Sequence, residues 1–115
     1  LARVLIYGSR TWTEGDVIRE VLSDLPADTV IIHGGAAGAD SMAGAIAREF
    51  GYMVVVFPAD WKTYGRSAGH RRNQQMIDQG KPDEAVGFRS PGESRGTDNM
   101  TSLLVKAGIP HVVVM

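Results

Sequence analysis

Short apolar runs of strand length alternate along this chain with stretches whose apolar residues recur at three-and-four spacing, and glycines or turn residues mark each change. The strand-like runs fall at residues 3–7 (stopped by Gly8), 29–33, 53–57, 84–88, which is the weakest, and 111–115. Most are apolar throughout rather than on alternate residues. That is the pattern of parallel strands covered on both faces.

Helical spacing fills the intervals. Val17, Ile18, Val21, Leu22 and Leu25 recur up to Pro26, with Thr13 placed as N-cap and Asp16 at the capping-box position. Ala43, Ile46, Ala47 and Phe50 share one face of a helix over about 40–50, ended by Gly51. A long polar loop from Pro58 to about Ser67 precedes a helix through about Gln79, and Met100, Leu103, Leu104 and Ala107 mark the last helix before Gly108 and Pro110. This alternation is an α/β signature: a Rossmann-like, doubly wound parallel sheet of about five strands with helices on both faces. At 115 residues, with no internal repeat or linker, the chain is expected to form a single domain over residues 1–115. Right-handed crossovers put every strand-to-helix loop at the carboxyl edge of the sheet, where such folds bind ligands.

Composition narrows the function. There is no cysteine, so a disulfide framework, a thiolate zinc site and a cysteine nucleophile are all excluded. A net charge of -1 makes nucleic acid an unlikely partner, since proteins that wrap duplex phosphates carry a marked positive excess. No apolar run approaches membrane-helix length and the N-terminus lacks a signal-peptide layout, so a soluble, cytoplasmic protein without a membrane partner is expected.

The loops carry the chemistry. After the second strand, between His33 and Asp40, no side chain exceeds a methyl group, and Gly34, Gly35 and Gly38 permit the backbone of an amide nest at a helix N-terminus. Those glycines can also serve only to start the helix tightly against the sheet; three in so small a loop favour anion binding. A Walker A lysine is missing, and the glycine spacing and His33 at the strand end do not fit an NAD site. In the first loop, Gly8, Ser9, Arg10 and Trp12 offer a hydroxyl, a guanidinium for a phosphate, and an indole that either stacks on a base or covers the helix end.

The third loop and its helix hold Asp60, Trp61, Tyr64, Arg66, His70, Arg71, Arg72 and Asn73. Cations in the first half of a helix oppose its dipole, which points to function rather than stability. Arg71 and Arg72 diverge by about 100 degrees, so only one is expected to face a pocket. Residues 65–69 fit the Gly-x-Ser-x-Gly pattern of a hydrolase elbow, but no strand immediately precedes them. In the fourth loop, Ser94, Gly96 and Thr97 offer amides and a hydroxyl to a second phosphate or ribose, with Thr97 or Asp98 as N-cap. His33, His70 and His111 have no ligand spacing, so no metal site is expected, although Asp40, Asp60 and Asp98 could share a divalent cation brought by a nucleotide. No resident cofactor is otherwise called for.

Gly8-Ser9-Arg10, residues 34–40, Asp60-Trp61 with residues 69–73, and residues 94–97 together resemble the SLOG superfamily, in particular its small YspA-related branch. The resemblance covers nearly the whole chain. It implies a Rossmann-like sheet that binds or senses nucleotides or nucleotide-derived ligands across these loops, in bacterial or phage systems, often as a homodimer. Residues 70–76 are also similar to the helix motif of LOG-type phosphoribohydrolases, which makes Arg72 the best candidate for a catalytic arginine, with Asn73 in place of their lysine. Met100 stands where those enzymes carry a catalytic glutamate, so whether the chain is an enzyme stays open; Asp60 and Asp98 are the remaining candidate acids. The glycine loops look similar as well to DprA, which implies single-stranded DNA binding as a further alternative, with Trp12, Trp61 or Tyr64 as stacking surfaces.

Overall fold

The computed structural model describes residues 2–115. Five strands, β1 (Arg3–Gly8), β2 (Val30–His33), β3 (Met53–Val56), β4 (Glu84–Phe88) and β5 (His111–Val114), form one sheet in the order β3-β2-β1-β4-β5. Every pairing is parallel, with Leu5 opposite Ile32 on one side of β1 and opposite Ala85 on the other. This is the expected α/β architecture.

Alternate residues of the central strands feed two separate apolar layers, as the period of two requires. Val4, Ile6 and Ile31 meet Ile18 and Leu22 of α1 (Gly15–Ser23) and Ala43, Ile46 and Ala47 of α2 (Ala39–Glu49). Leu5, Tyr7 and Ile32 meet Met76 and Ile77 of α4 (Ala68–Asp78) and Met100 and Leu104 of α5 (Arg95–Ala107) on the other face. Burial on both faces explains why β1 and β2 read as unbroken apolar runs. Among the described residues no helix is long and apolar enough to cross a membrane.

Three local expectations need correction. The stretch between Pro58 and Ser67 is not simply loop: it contains α3 (Trp61–Tyr64) and a 3-10 turn (Gly65–Ser67), started by Asp60, whose carboxylate accepts the Thr63 N–H at 3.1 Å. Thr13 is not the cap of α1, which begins at Gly15 with Glu14 as N-cap and no side-chain capping bond. Trp12 sets that start, since its indole N–H donates to the Glu14 carbonyl at 3.0 Å. Nor is Thr97 or Asp98 the cap of α5, which begins at Arg95 with Ser94, three residues before Thr97, as N-cap. Thr97 Oγ1 accepts the Ser94 hydroxyl at 2.8 Å, while the Asp98 carboxylate is held outward by Arg89 at 2.8 and 3.1 Å.

Candidate functional site

The chain leaves β1 toward β2 and leaves β4 toward β5, on opposite sides of the sheet, so the loops after β1 and β4 part and open a crevice between them. A cleft of about 530 Å³ lies there, within the size range of small-molecule sites. Tyr7, Met76 and Met100 form its apolar floor. Its walls come from the loop after β1, the start of α2, the segment from Trp61 to Asn73, and residues 93–97.

Hydroxyl groups hold the two parting loops in register. The Ser90 N–H donates to Ser9 Oγ at 2.9 Å, and Ser9 Oγ lies 2.8 Å from Ser94 Oγ, which in turn donates to Thr97 Oγ1. Since Ser94 gives its proton to Thr97, Ser9 is the donor to Ser94. Tyr7 contributes one polar atom to the otherwise apolar floor, its hydroxyl, 2.8 Å from Thr101 Oγ1; burial raises the Tyr7 pKa above its usual value. Ser9 and Thr97 are both buried. Their hydroxyls therefore act as struts between loops.

The glycine loop after β2 is braced from within. The Gly34 N–H donates to Asp40 Oδ2 at 3.0 Å and the Gly35 N–H to His33 Nδ1 at 3.0 Å, so these two amides are already engaged. The N–H groups of Ala37 and Gly38 have no hydrogen-bond partner among the described residues. Gly38 sits at φ 78°, and a Cβ there would overlap the carbonyl oxygens of Ser9 and Arg10, so the loop after β1 rests directly on backbone. Burial pushes the Asp40 pKa up to about 6, against the opposing pull of Arg72, the Gly34 and Ala36 N–H groups and Arg10. His33, buried beside Arg48 and Arg72, is pushed down to about 4 and is neutral at pH 7.

Arg72 and Arg71 diverge as their spacing on a helix requires. Arg72 turns inward: Nη1 donates to the Gly34 carbonyl and, at 3.4 Å, to that of Phe57, and Nε donates to Asn73 Oδ1 at 3.1 Å. Burial lowers its pKa, with Asp40 opposing, yet the guanidinium stays charged. Arg71 lies outside, over the Tyr64 ring at 4.6 Å. Asn73 is buried and its amide is spent, donating to the Gly96 carbonyl at 3.2 Å and to Asn99 Oδ1 at 3.0 Å. It clamps α4 to α5.

Several sequence candidates lie elsewhere or do other work. Trp12 is no stacking platform: it is buried against Phe88, with ring centroids 5.5 Å apart. Asp60 caps α3 and lines a separate hollow, outside the main cleft. With Asp98 paired to Arg89, the three aspartates do not converge on a shared cation, and no acidic or histidine cluster of metal-binding size occurs among the described residues. Trp61 does face the cleft, beneath Arg10. The cleft also gathers Tyr7, not singled out from the sequence, and Met76, the last residue of the 70–76 helix motif, in the floor, with Glu93, paired with Arg95, at the rim.

A parallel sheet in this order, with helices on both faces and a cleft at the β1/β4 divergence, defines a Rossmann-like α/β fold. The chain belongs to the SLOG superfamily, in its YspA, cpYpsA-related family (YAcAr), whose sequence profile matches residues 2–64. Among curated proteins it is similar to the Gene 61 protein of Mycobacterium phage D29, 38% identical over 121 residues that cover 97% of this chain and 95% of the phage protein. Among solved structures it is similar to DNA processing protein A (DprA) from Streptococcus pneumoniae, with a TM-score of 0.62 at 16% identity, over 97% of this chain. The chain spans 58% of the length of that DprA chain, and the likeness concerns the fold.

Proposed function

We propose that this protein binds a nucleotide or nucleotide-derived small molecule in the cleft between the β1 and β4 loops, as a single SLOG-like binding or sensing unit. One observation carries the reading: Arg10 and Arg72 line both this cleft and the adjoining hollow on the glycine loop, and the acids of the cleft are already engaged. Asp40 is tied to the Gly34 N–H and Glu93 to Arg95. With Arg66 and His70 also in the wall, the cleft favours an anionic guest, although the chain as a whole carries -1. Membership of the SLOG superfamily supports a nucleotide-related ligand. In this reading Arg72 holds the phosphates with the free amides of the glycine loop and the Gly96–Thr97 turn, over an apolar floor suited to a base.

Calorimetric titration with AMP, ADP and ADP-ribose tests this, with Arg72→Ala as the paired variant. Binding by the native protein that is lost in the variant is expected; equal affinity in both would remove Arg72 from the site.

A second reading, hydrolysis of a nucleotide N-glycosidic bond, draws support from Asp40 rather than from Asp60 or Asp98. Asp40 lines the cleft with a pKa of about 6, in the range of a general acid able to protonate a departing base. Release of free base that disappears in Asp40→Asn would favour it. Oligonucleotide binding, the third alternative, is read from the same titration with a short single-stranded DNA.

A further inference from the structure

The Arg10 guanidinium carbon lies 5.7 Å from the centroid of the Trp61 ring. This contact joins the loop after β1 to α3, and it stands between two hollows. The main cleft and a smaller hollow of about 460 Å³ share Arg10, Ala36, Trp61 and Arg72 in their walls. Beyond the shared residues, the smaller hollow is made of glycine-loop backbone with Pro58 and Ala59; it holds two arginines and no acid. The larger one has the apolar floor of Tyr7, Met76 and Met100. Trp61 is 49% exposed, and Arg10 forms no ion pair among the described residues.

We propose, resting on the nucleotide reading above, that Arg10 and Trp61 form a latch which the ligand opens, making Trp61 a specificity-determining residue for aromatic bases. A phosphate is a stronger partner for an exposed guanidinium than an indole face is, because it accepts two parallel charge-assisted hydrogen bonds. The anionic part of the ligand therefore draws Arg10 off the ring toward the acid-free hollow. The indole face so uncovered then takes the base of the same molecule by stacking. An anion without a base leaves Trp61 uncovered, and a base without an anion leaves Arg10 in place. The latch thus selects molecules that carry both groups.

The test compares ADP with inorganic pyrophosphate by calorimetry on the native protein, Trp61→Ala and Trp61→Phe, with far-UV circular dichroism as a control for folding. Trp61→Ala is expected to weaken ADP by about tenfold, the usual scale of one stacked base, while leaving pyrophosphate unchanged or tighter. Trp61→Phe is expected to retain most ADP affinity. Equal weakening of both probes in Trp61→Ala, or no weakening of ADP, would overturn the latch and leave the nucleotide reading standing. Failure of ADP and every other nucleotide to bind the native protein would overturn both.

Discussion

Asp40 Oδ2 accepts the backbone N–H of Gly34 at 3.0 Å, closing the glycine loop on the first turn of the helix that follows it. Both groups are buried, so neither can turn to water if the other is removed. Asp40→Ala is therefore expected to cost about 2 kcal/mol, the scale of an orphaned buried donor that had faced a carboxylate. Urea unfolding of the variant against the native protein measures this.

The pH dependence of stability follows from two opposed groups. His33 is held down to about 4 from 6.5, so it contributes stability above 6.5 that is lost as pH falls toward 4. Asp40 is held up to about 6 from 3.8, so it contributes stability below 3.8 that is lost as pH rises toward 6. Between about pH 4 and 6 the two slopes oppose each other, and the contribution of this pair is nearly flat. Asp40→Asn removes one slope, and its stability relative to the native protein is expected to rise with pH across that window in parallel denaturation curves.

Two glycines in the same loop should respond differently to the same change. A Cβ on Gly34 would come within 2.6 to 2.9 Å of the Arg72 guanidinium, the movable end of a long side chain. Gly34→Ala is expected to fold with a loss of about 1 kcal/mol while displacing Arg72 and abolishing nucleotide binding. On Gly38 the obstacle is backbone and φ is positive, so Gly38→Ala is expected to cost about 3 kcal/mol or more. Thermal unfolding of both variants, with titration of Gly34→Ala, separates the two effects.

Ser9 links the parting loops through Ser94 and the Ser90 N–H. Ser9→Ala is expected to destabilise by about 1–2 kcal/mol and to weaken ligand binding, because the β4 loop loses its tether to β1. Hydrogen exchange over residues 89–96 should rise in this variant and stay unchanged over β2.

The sheet and its long helices were legible because burial on both faces leaves a continuous apolar imprint, as in Val4-Leu5-Ile6 and Val30-Ile31-Ile32. Helix α3 was not, since four residues are too few to show a period; the Asp60 to Thr63 spacing of an N-cap was its one trace. The loops of the cleft were legible from their glycines and arginines. What the sequence could not assign was which polar groups are consumed internally. Asn73, Ser9 and the Gly34 amide look available in a list of residues, and tertiary contacts spend them. Trp12 was ambiguous for the same reason, an indole at a loop being equally able to face a ligand or, as here, Phe88.

Native mass spectrometry of the purified protein with AMP, ADP, ADP-ribose, NAD and cyclic dinucleotides reads directly whether the cleft holds a nucleotide, and the same spectra show whether the protein is a homodimer. An intact nucleotide is expected bound to the native chain and absent from Arg72→Ala. A native protein that retains none of these nucleotides, or an Arg72→Ala variant that retains them equally, would contradict the nucleotide reading.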